Sequence, residues 1–197
     1  MANIAGGIIE TANALGMDPI DLATIISYET GGTFNPSQAG PTTQWGQHRG
    51  LIQFGQPQAR EYGVDWNDPA GSQLGPDGAI ARYYRARGWK PGMGMLDAYS
   101  IVNAGAPGRY NASDANNGGA PGTVADKVNN QMAAHRAKAE ALLSGYDIGQ
   151  PQQGYQEPQQ NALAAPQWQP QTNQLDPRDF MVAQNPLGFT PFSTGRT

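Results

Sequence analysis

A helical stripe that runs into a carboxylate and then stops dominates the reading of this chain. Leu22, Ile25, Ile26 and Glu29 stand at i, i+3, i+4 and i+7, the spacing of one helix face. Asp18 is placed to cap that helix and Pro19 to occupy its first turn. Gly31-Gly32 then ends it. Glu29 is thereby drawn to the edge of an apolar core. An ionised carboxylate is costly there unless paired, and it responds by keeping its proton to higher pH. A carboxylic acid that is still protonated near neutrality is what a departing glycosidic oxygen needs. The alternative is a Glu29 side chain that swings into water at a fraying helix end.

Composition splits the 197 residues into two unlike parts. Residues 1–146 carry apolar periodicity and are long enough to bury a core. Residues 147–197 are dominated by Gln, Pro, Asn and Gly, and ten Gln fall between Gln150 and Gln174, broken by Pro151, Pro158, Pro166 and Pro170. Such a segment cannot build a core of its own. Farther on, Phe180, Val182, Phe189 and Phe192 are spaced among Pro and Gly, the pattern of a peptide that docks into another protein's groove. The expectation is an all-α domain over 1–146 and an extended, largely irregular C-terminal arm over 147–197.

Several function classes recede at once. The absence of Cys removes disulfides and thiolate metal sites. A net charge of −4 argues against direct nucleic-acid recognition. No run approaches the ~18 apolar residues of a membrane span. The first 16 residues lack the basic flank and long apolar run of a secretory signal. His48 and His135 have no paired metal-ligand spacing, and no Gly-x-Ser-x-Gly turn offers a serine nucleophile. Neither metal nor cofactor is expected.

Taken in order, Ile4, Ile8, Ala12 and Leu15 mark a first helix between the cap Asn3 and the stop Gly16. Residues 31–49 are too polar for core and too long for a simple connector, so they are a candidate binding loop. Within the apolar run 50–54, Gln53 is either a satisfied core amide or a group turned to a ligand. A short helix over 56–62 carries Pro57 in its first turn, and Asp68-Pro69 restarts the chain. Residues 77–87 read as a helix with Ile80, Tyr83 and Tyr84 inward, and Arg82, Arg85, Arg87 and Lys90 as a solvated basic face. The helix over 95–102 ends at Asn103-Ala104-Gly105, with Tyr99 and Asn103 able to share a face. A polar loop over 109–122 follows. One last helix is expected over 123–144, with Val124, Val128, Met132, His135, Ala139 and Leu142 as its stripe and His135 as a packed histidine.

Three segments, in order, resemble one family. Tyr28-Glu29-Thr30-Gly31-Gly32-Thr33-Phe34-Asn35-Pro36 is similar to the catalytic-glutamate segment of the soluble lytic transglycosylases. Gly50-Leu51-Ile52-Gln53 resembles their Gly-Leu-Met-Gln segment. Asn103-Ala104-Gly105 with Pro107-Gly108 resembles their Asn-Ala-Gly-Pro-Gly loop. The resemblance covers roughly residues 4–142. It departs at Thr30, where the family commonly has Ser, and at Val102, where it commonly has a Tyr that orients the acid. Ala106 is an insertion.

The resemblance implies a lysozyme-like helical fold that cleaves the glycan strands of peptidoglycan, with Glu29 as general acid and then general base. A sugar 6-hydroxyl would attack in place of water, leaving a 1,6-anhydromuramoyl end. Thr30, Gln53, Tyr99 and Asn103 would surround the glycan, and Tyr99 is the candidate replacement for the missing Tyr. No convincing second catalytic acid lies close to Glu29 in sequence, whereas a hydrolase ordinarily wants one about 5–9.5 Å away. The implied setting is a bacteriophage particle that carries the enzyme to the wall for DNA entry, with residues 150–197 docked on other virion proteins. A structural virion protein that has lost activity, a muramidase-type hydrolase and a wall-binding module are the alternatives.

Overall fold

The computed structural model describes residues 3–148. Helix α1 (Ile4–Leu15) begins where the Asn3 side chain accepts the Gly6 N–H at 3.1 Å and ends at left-handed Gly16. Helix α2 (Pro19–Glu29) begins where Asp18 accepts the Ile20 N–H at 2.8 Å. A one-sided stripe understates its surroundings. Every residue from Pro19 to Ser27 is buried, including Asp21, Thr24 and Ser27 on the supposedly polar side. The polar ones are satisfied inside: Thr24 donates to the Ile20 carbonyl at 2.7 Å, Ser27 pairs with His135, and Asp21 meets Arg136 at 2.9 Å. A helix enclosed on all sides is the centre of a fold. Helices α1 and α6 and the last helix pack around it.

The expected polar loop after α2 contains a hairpin. Strand β1 (Ala39–Thr43) pairs antiparallel with β2 (Gly46–Arg49), with an irregularity between Ala39 and Thr42 where Pro41 falls. Neither strand shows apolar alternation, so the sequence carries no strand signal there. The hairpin is held from outside its own ladder. His48 joins the Thr43 hydroxyl at 3.1 Å to the Gln53 carbonyl at 2.9 Å, and the Gln53 amide donates to the Gln38 and Gly50 carbonyls.

Short helices α3 (Gln56–Glu61) and α4 (Pro69–Gln73) lead to α5 (Ala79–Ala86) and α6 (Met95–Ala104). Edge-to-face contacts run from Phe54 to Tyr83 and on through Tyr84 to Trp89. Their polar ends tie helices together: the Tyr83 hydroxyl donates to the Ile101 carbonyl at 3.0 Å and the Trp89 N–H to the Leu15 carbonyl at 2.8 Å. The basic face of α5 does more than meet solvent. Arg82 donates to the Tyr62 and Asp77 carbonyls, and Arg85 to those of Pro76 and Ala14.

The single last helix is two. After a short 3-10 turn (Ala115–Asn117), α7 (Val124–Gln131) opens on a Thr123–Asp126 capping box, and α8 (Ala133–Leu143) follows a break at Met132. The sequence there has no Pro or Gly; the cause is tertiary. Helix α7 packs on α6 and α8 on α2, and one straight helix would have to follow both. Leu143 is buried outright, and Leu142 is half-buried against the core. At the end of the described chain the Tyr146 hydroxyl donates to Asn3 at 3.0 Å, and Ile148 rests on the core. The arm expected over 147–197 lies, from residue 149 on, outside the described residues. The described part is mainly helical with one two-stranded hairpin, and none of its helices is long and apolar enough to cross a membrane.

Gln73, which gives no sequence signal, joins three segments. Fully buried, it accepts the Leu51 N–H at 2.8 Å and donates to the Pro36 and Pro69 carbonyls. Gly50, at φ +97°, leaves no room for a Cβ beside it. Gln73→Leu would keep the volume but strand the buried Leu51 N–H and the Pro36 carbonyl. It should cost about 3 kcal/mol, read as a lower midpoint in urea unfolding at unchanged slope.

Candidate active site

The end of α2 opens onto a cleft of about 1060 Å³. Its floor is Tyr28 and Glu29. The hairpin forms one wall, the 114–120 segment the other, and α6, α7 and α8 contribute Tyr99, Asn103, Lys127 and His135. The two walls approach each other where Pro41 lies beside Gly118. Glu29 is half-buried, so the side chain neither joins the sealed core nor swings free.

The helix stops at Glu29 for a backbone reason. Gly31 and Gly32 take φ +62° and +85°, and the Gly32 N–H turns back to the Ser27 carbonyl at 2.6 Å. Thr30 then locks the exit. Its hydroxyl donates to the Ile26 carbonyl at 2.7 Å and accepts the Phe34 N–H at 3.0 Å. Thr30, a candidate substrate contact, is among the residues that line the cleft; it is 2% exposed, and its hydroxyl bonds also shape the turn that presents Glu29.

The other expected residues converge on the cleft, though not in equal roles. Tyr99 is 1% exposed and lies beside Glu29, close enough for its hydroxyl to favour the ionised carboxyl. Its ring stands edge-on to Tyr28 at 5.6 Å, and Tyr28 stands edge-on to His135 at 5.3 Å. Val102 also lines the cleft, one turn of α6 farther on. Tyr99 therefore reaches the acid from the preceding turn. Gln53 sits at φ +56°, a left-handed position that a residue with a Cβ adopts at some cost, and its amide nitrogen is committed to the hairpin. Its Oε1 lies against Gly40 without a hydrogen-bond partner. Gln53 is thus chiefly a clamp that positions the hairpin wall. Asn103 donates to Asp114 at 2.6 Å, and its own Oδ1 has no protein partner.

Sequence reasoning missed Asp114 and Lys127. Asp114 lies in the polar 109–122 loop, where one Asp among Asn and Gly carries no pattern. Lys127 stands on α7 and is buried, paired with Asp114. A lone Lys on a helix ordinarily faces solvent. His135, expected to be packed, accepts or donates to Ser27 at 3.0 Å while lining the cleft. Among the described residues, no three His, Asp or Glu side chains gather as a metal site would need.

Burial pushes the Glu29 carboxyl up from its ordinary 4.5 to about 8, and the Asp114 charge pushes the same way. Lys127 and the Tyr99 hydroxyl act against both. Burial likewise raises Tyr28 to about 12 and raises Tyr99, so both stay neutral hydrogen-bonding groups. An acid that is protonated at neutral pH, floored by apolar and aromatic groups and open to a cleft, can donate a proton to a bound oxygen and recover one from another. No family model, curated protein or solved structure matches the chain.

The raised value has a cost in stability. Between 4.5 and about 8 the folded protein keeps a proton that the unfolded chain releases, so this group makes stability fall as pH rises through that window. Glu29→Gln removes the effect. The variant should match wild type at about pH 4 and exceed it by about 1–3 kcal/mol above about pH 8, compared by denaturant unfolding at each pH.

Proposed function

We propose that the chain is a lytic transglycosylase with a lysozyme-like fold, cleaving the MurNAc–GlcNAc bond of peptidoglycan with Glu29 as acid and then base. The observation that carries this is the placement of Glu29, protonated at neutral pH, on the floor of a cleft shared with Tyr99 and Asn103. Further support comes from the three segments that resemble the family. They are far apart in sequence, yet Glu29, Gln53 and Asn103 all line this one cleft. A structural protein that had abandoned the chemistry would have no use for a destabilising acid held there.

In the proposed reaction the Glu29 proton passes to the glycosidic oxygen as its bond to the muramoyl C1 breaks. The 6-hydroxyl oxygen of the same muramoyl sugar bonds to C1 and returns its proton to the Glu29 carboxylate. No water is consumed and Glu29 ends as it began. Tyr99 packs beside the carboxyl, and the buried Asn103 Oδ1, which has no protein partner, would accept from an N–H or O–H of the sugar. The setting we propose for this activity is a virion-borne wall enzyme, with residues 150–197 as the docking segment.

A muramidase-type hydrolase is the second reading, favoured by one observation: Asp114 supplies a second carboxylate to the cleft. Against it, Asp114 is already engaged by Lys127 and Asn103, which leaves it poorly placed to activate water.

Digestion of purified peptidoglycan followed by mass spectrometry separates the readings. Wild type should release 1,6-anhydromuramoyl ends, and Glu29→Gln, folded but unable to donate, should lose at least about 100-fold in rate. The wild-type rate should hold through neutrality and fall above about pH 8, as Glu29 gives up its proton. Reducing ends would instead make the protein a hydrolase. A folded wild type that frees no glycan would overturn both.

A further inference from the structure

We propose that the buried Lys127–Asp114 ion pair is the positioning element of this cleft: it dictates which way the Asn103 amide faces and sets the charge that Glu29 meets as it gives up and recovers its proton. This rests on the reading of Glu29 as the acid.

The geometry begins with Lys127. Only 1% exposed, it directs its ammonium to Asp114 Oδ1. A buried ammonium without a carboxylate would be strongly destabilising, so the pair acts as a unit. The second oxygen, Asp114 Oδ2, accepts from Asn103 Nδ2 at 2.6 Å. An ionised carboxylate only accepts, so the amide has to turn its NH2 to Asp114. Its Oδ1 is left as an acceptor with no protein partner. A substrate group that meets Asn103 must therefore donate, as an acetamido N–H or a hydroxyl does, and a carboxylate or ether oxygen would be refused.

The loop holds Asp114 in this register. The Gly119 N–H returns to the Asp114 carbonyl at 3.1 Å, and a Cβ at 119 would strike the Asp114 carboxylate. The Val124 and Ala125 N–H groups bond the Ala112 and Tyr110 carbonyls, both at 2.9 Å, which fixes the loop to the start of α7. Lys127 follows one turn later. Pair, loop and amide are thus joined in one hydrogen-bonded unit that lines the cleft with Glu29.

The charged and titratable groups around Glu29 come from several elements. Tyr28 lies on its own helix, Tyr83 and Tyr84 on α5, Tyr99 on α6, Asp114 on the loop and Lys127 on α7. On α8, His135 meets Ser27 and Lys138 lies against Gly32. The tyrosines are neutral at working pH. Asp114 and Lys127 are the opposed charges that act on Glu29, one favouring its protonated form and the other its ionised form.

The test titrates the Glu29 carboxyl by carbon NMR in the full chain, assigned by its loss in Glu29→Gln. Asp114→Asn leaves a bare cation and should lower the Glu29 midpoint; Lys127→Met leaves a bare anion and should raise it, each by about one pH unit. The alkaline limb of glycan cleavage should move with each midpoint. The double variant has no bare buried charge and keeps the test open if a single variant fails to fold. Its Glu29 midpoint should stay near wild type, while binding of an N-acetylglucosamine oligosaccharide weakens about tenfold, because nothing orients the Asn103 amide. Unmoved midpoints in the single variants, or unchanged oligosaccharide binding in the double variant, overturn the proposal. So does an Asp114→Asn variant that stops cleavage while the Glu29 midpoint stays put, since Asp114 would then be a reacting carboxylate. Midpoints that move apart in a protein whose wild type cleaves no glycan uphold the charge role and remove the glycan-cleaving reading instead.

Discussion

Everything in this fold is arranged about a helix that has no outer face. Helix α2 is enclosed from Pro19 to Ser27, so its end cannot drift. Its neighbours are held by many modest interactions: the Asp21–Arg136 pair, the Ser27–His135 bond and the apolar contacts of Leu22, Ile25 and Ile26. A carboxylate at the end of such a helix is carried to the same place in every molecule. That is the condition for an acid to work, because proton transfer needs the donor within hydrogen-bond reach of its target.

The cleft is built on this fixed point by groups that bridge distant segments rather than by continuous secondary structure. Gln73 joins the 36, 51 and 69 regions, and Gln53 with His48 pins the hairpin. Each bridge is a side-chain amide or imidazole meeting backbone groups, most of them in loops. Buried backbone in a loop-rich wall requires this, since unpaired polar groups cost about 1–3 kcal/mol each. The hairpin is short and polar, so its own ladder would not hold it in place. The clamps make it a wall.

Electrostatics at the floor is a contest that burial wins. Desolvation and Asp114 favour the protonated Glu29, while Lys127 and Tyr99 temper them. The balance keeps an acid at neutral pH at the expense of stability, the usual trade where a site must hold a group in the form it would not choose in water. Tyr99 acts on Glu29 from the turn of α6 before Val102, because α6 packs against α2.

The local signals were legible in the chain itself. Asn3, Asp18-Pro19 and Gly16 mark helix ends through chemistry that needs no neighbours, and the apolar spacing of α1, α2, α5 and α6 records which faces turn inward. Glu29 stood out because a charge on an apolar stripe is a local contradiction. Tertiary contacts alone decided the rest. The polar 31–49 segment became a hairpin because Gln53 and His48 hold it, and the last helix broke at Met132 because its halves pack on different partners. The burial of Lys127 and its pairing with Asp114 left no trace in composition or period. Periodicity reports one element's face toward a core. It does not report which polar groups from other elements that face will meet, and the chemistry of this cleft lies in those meetings.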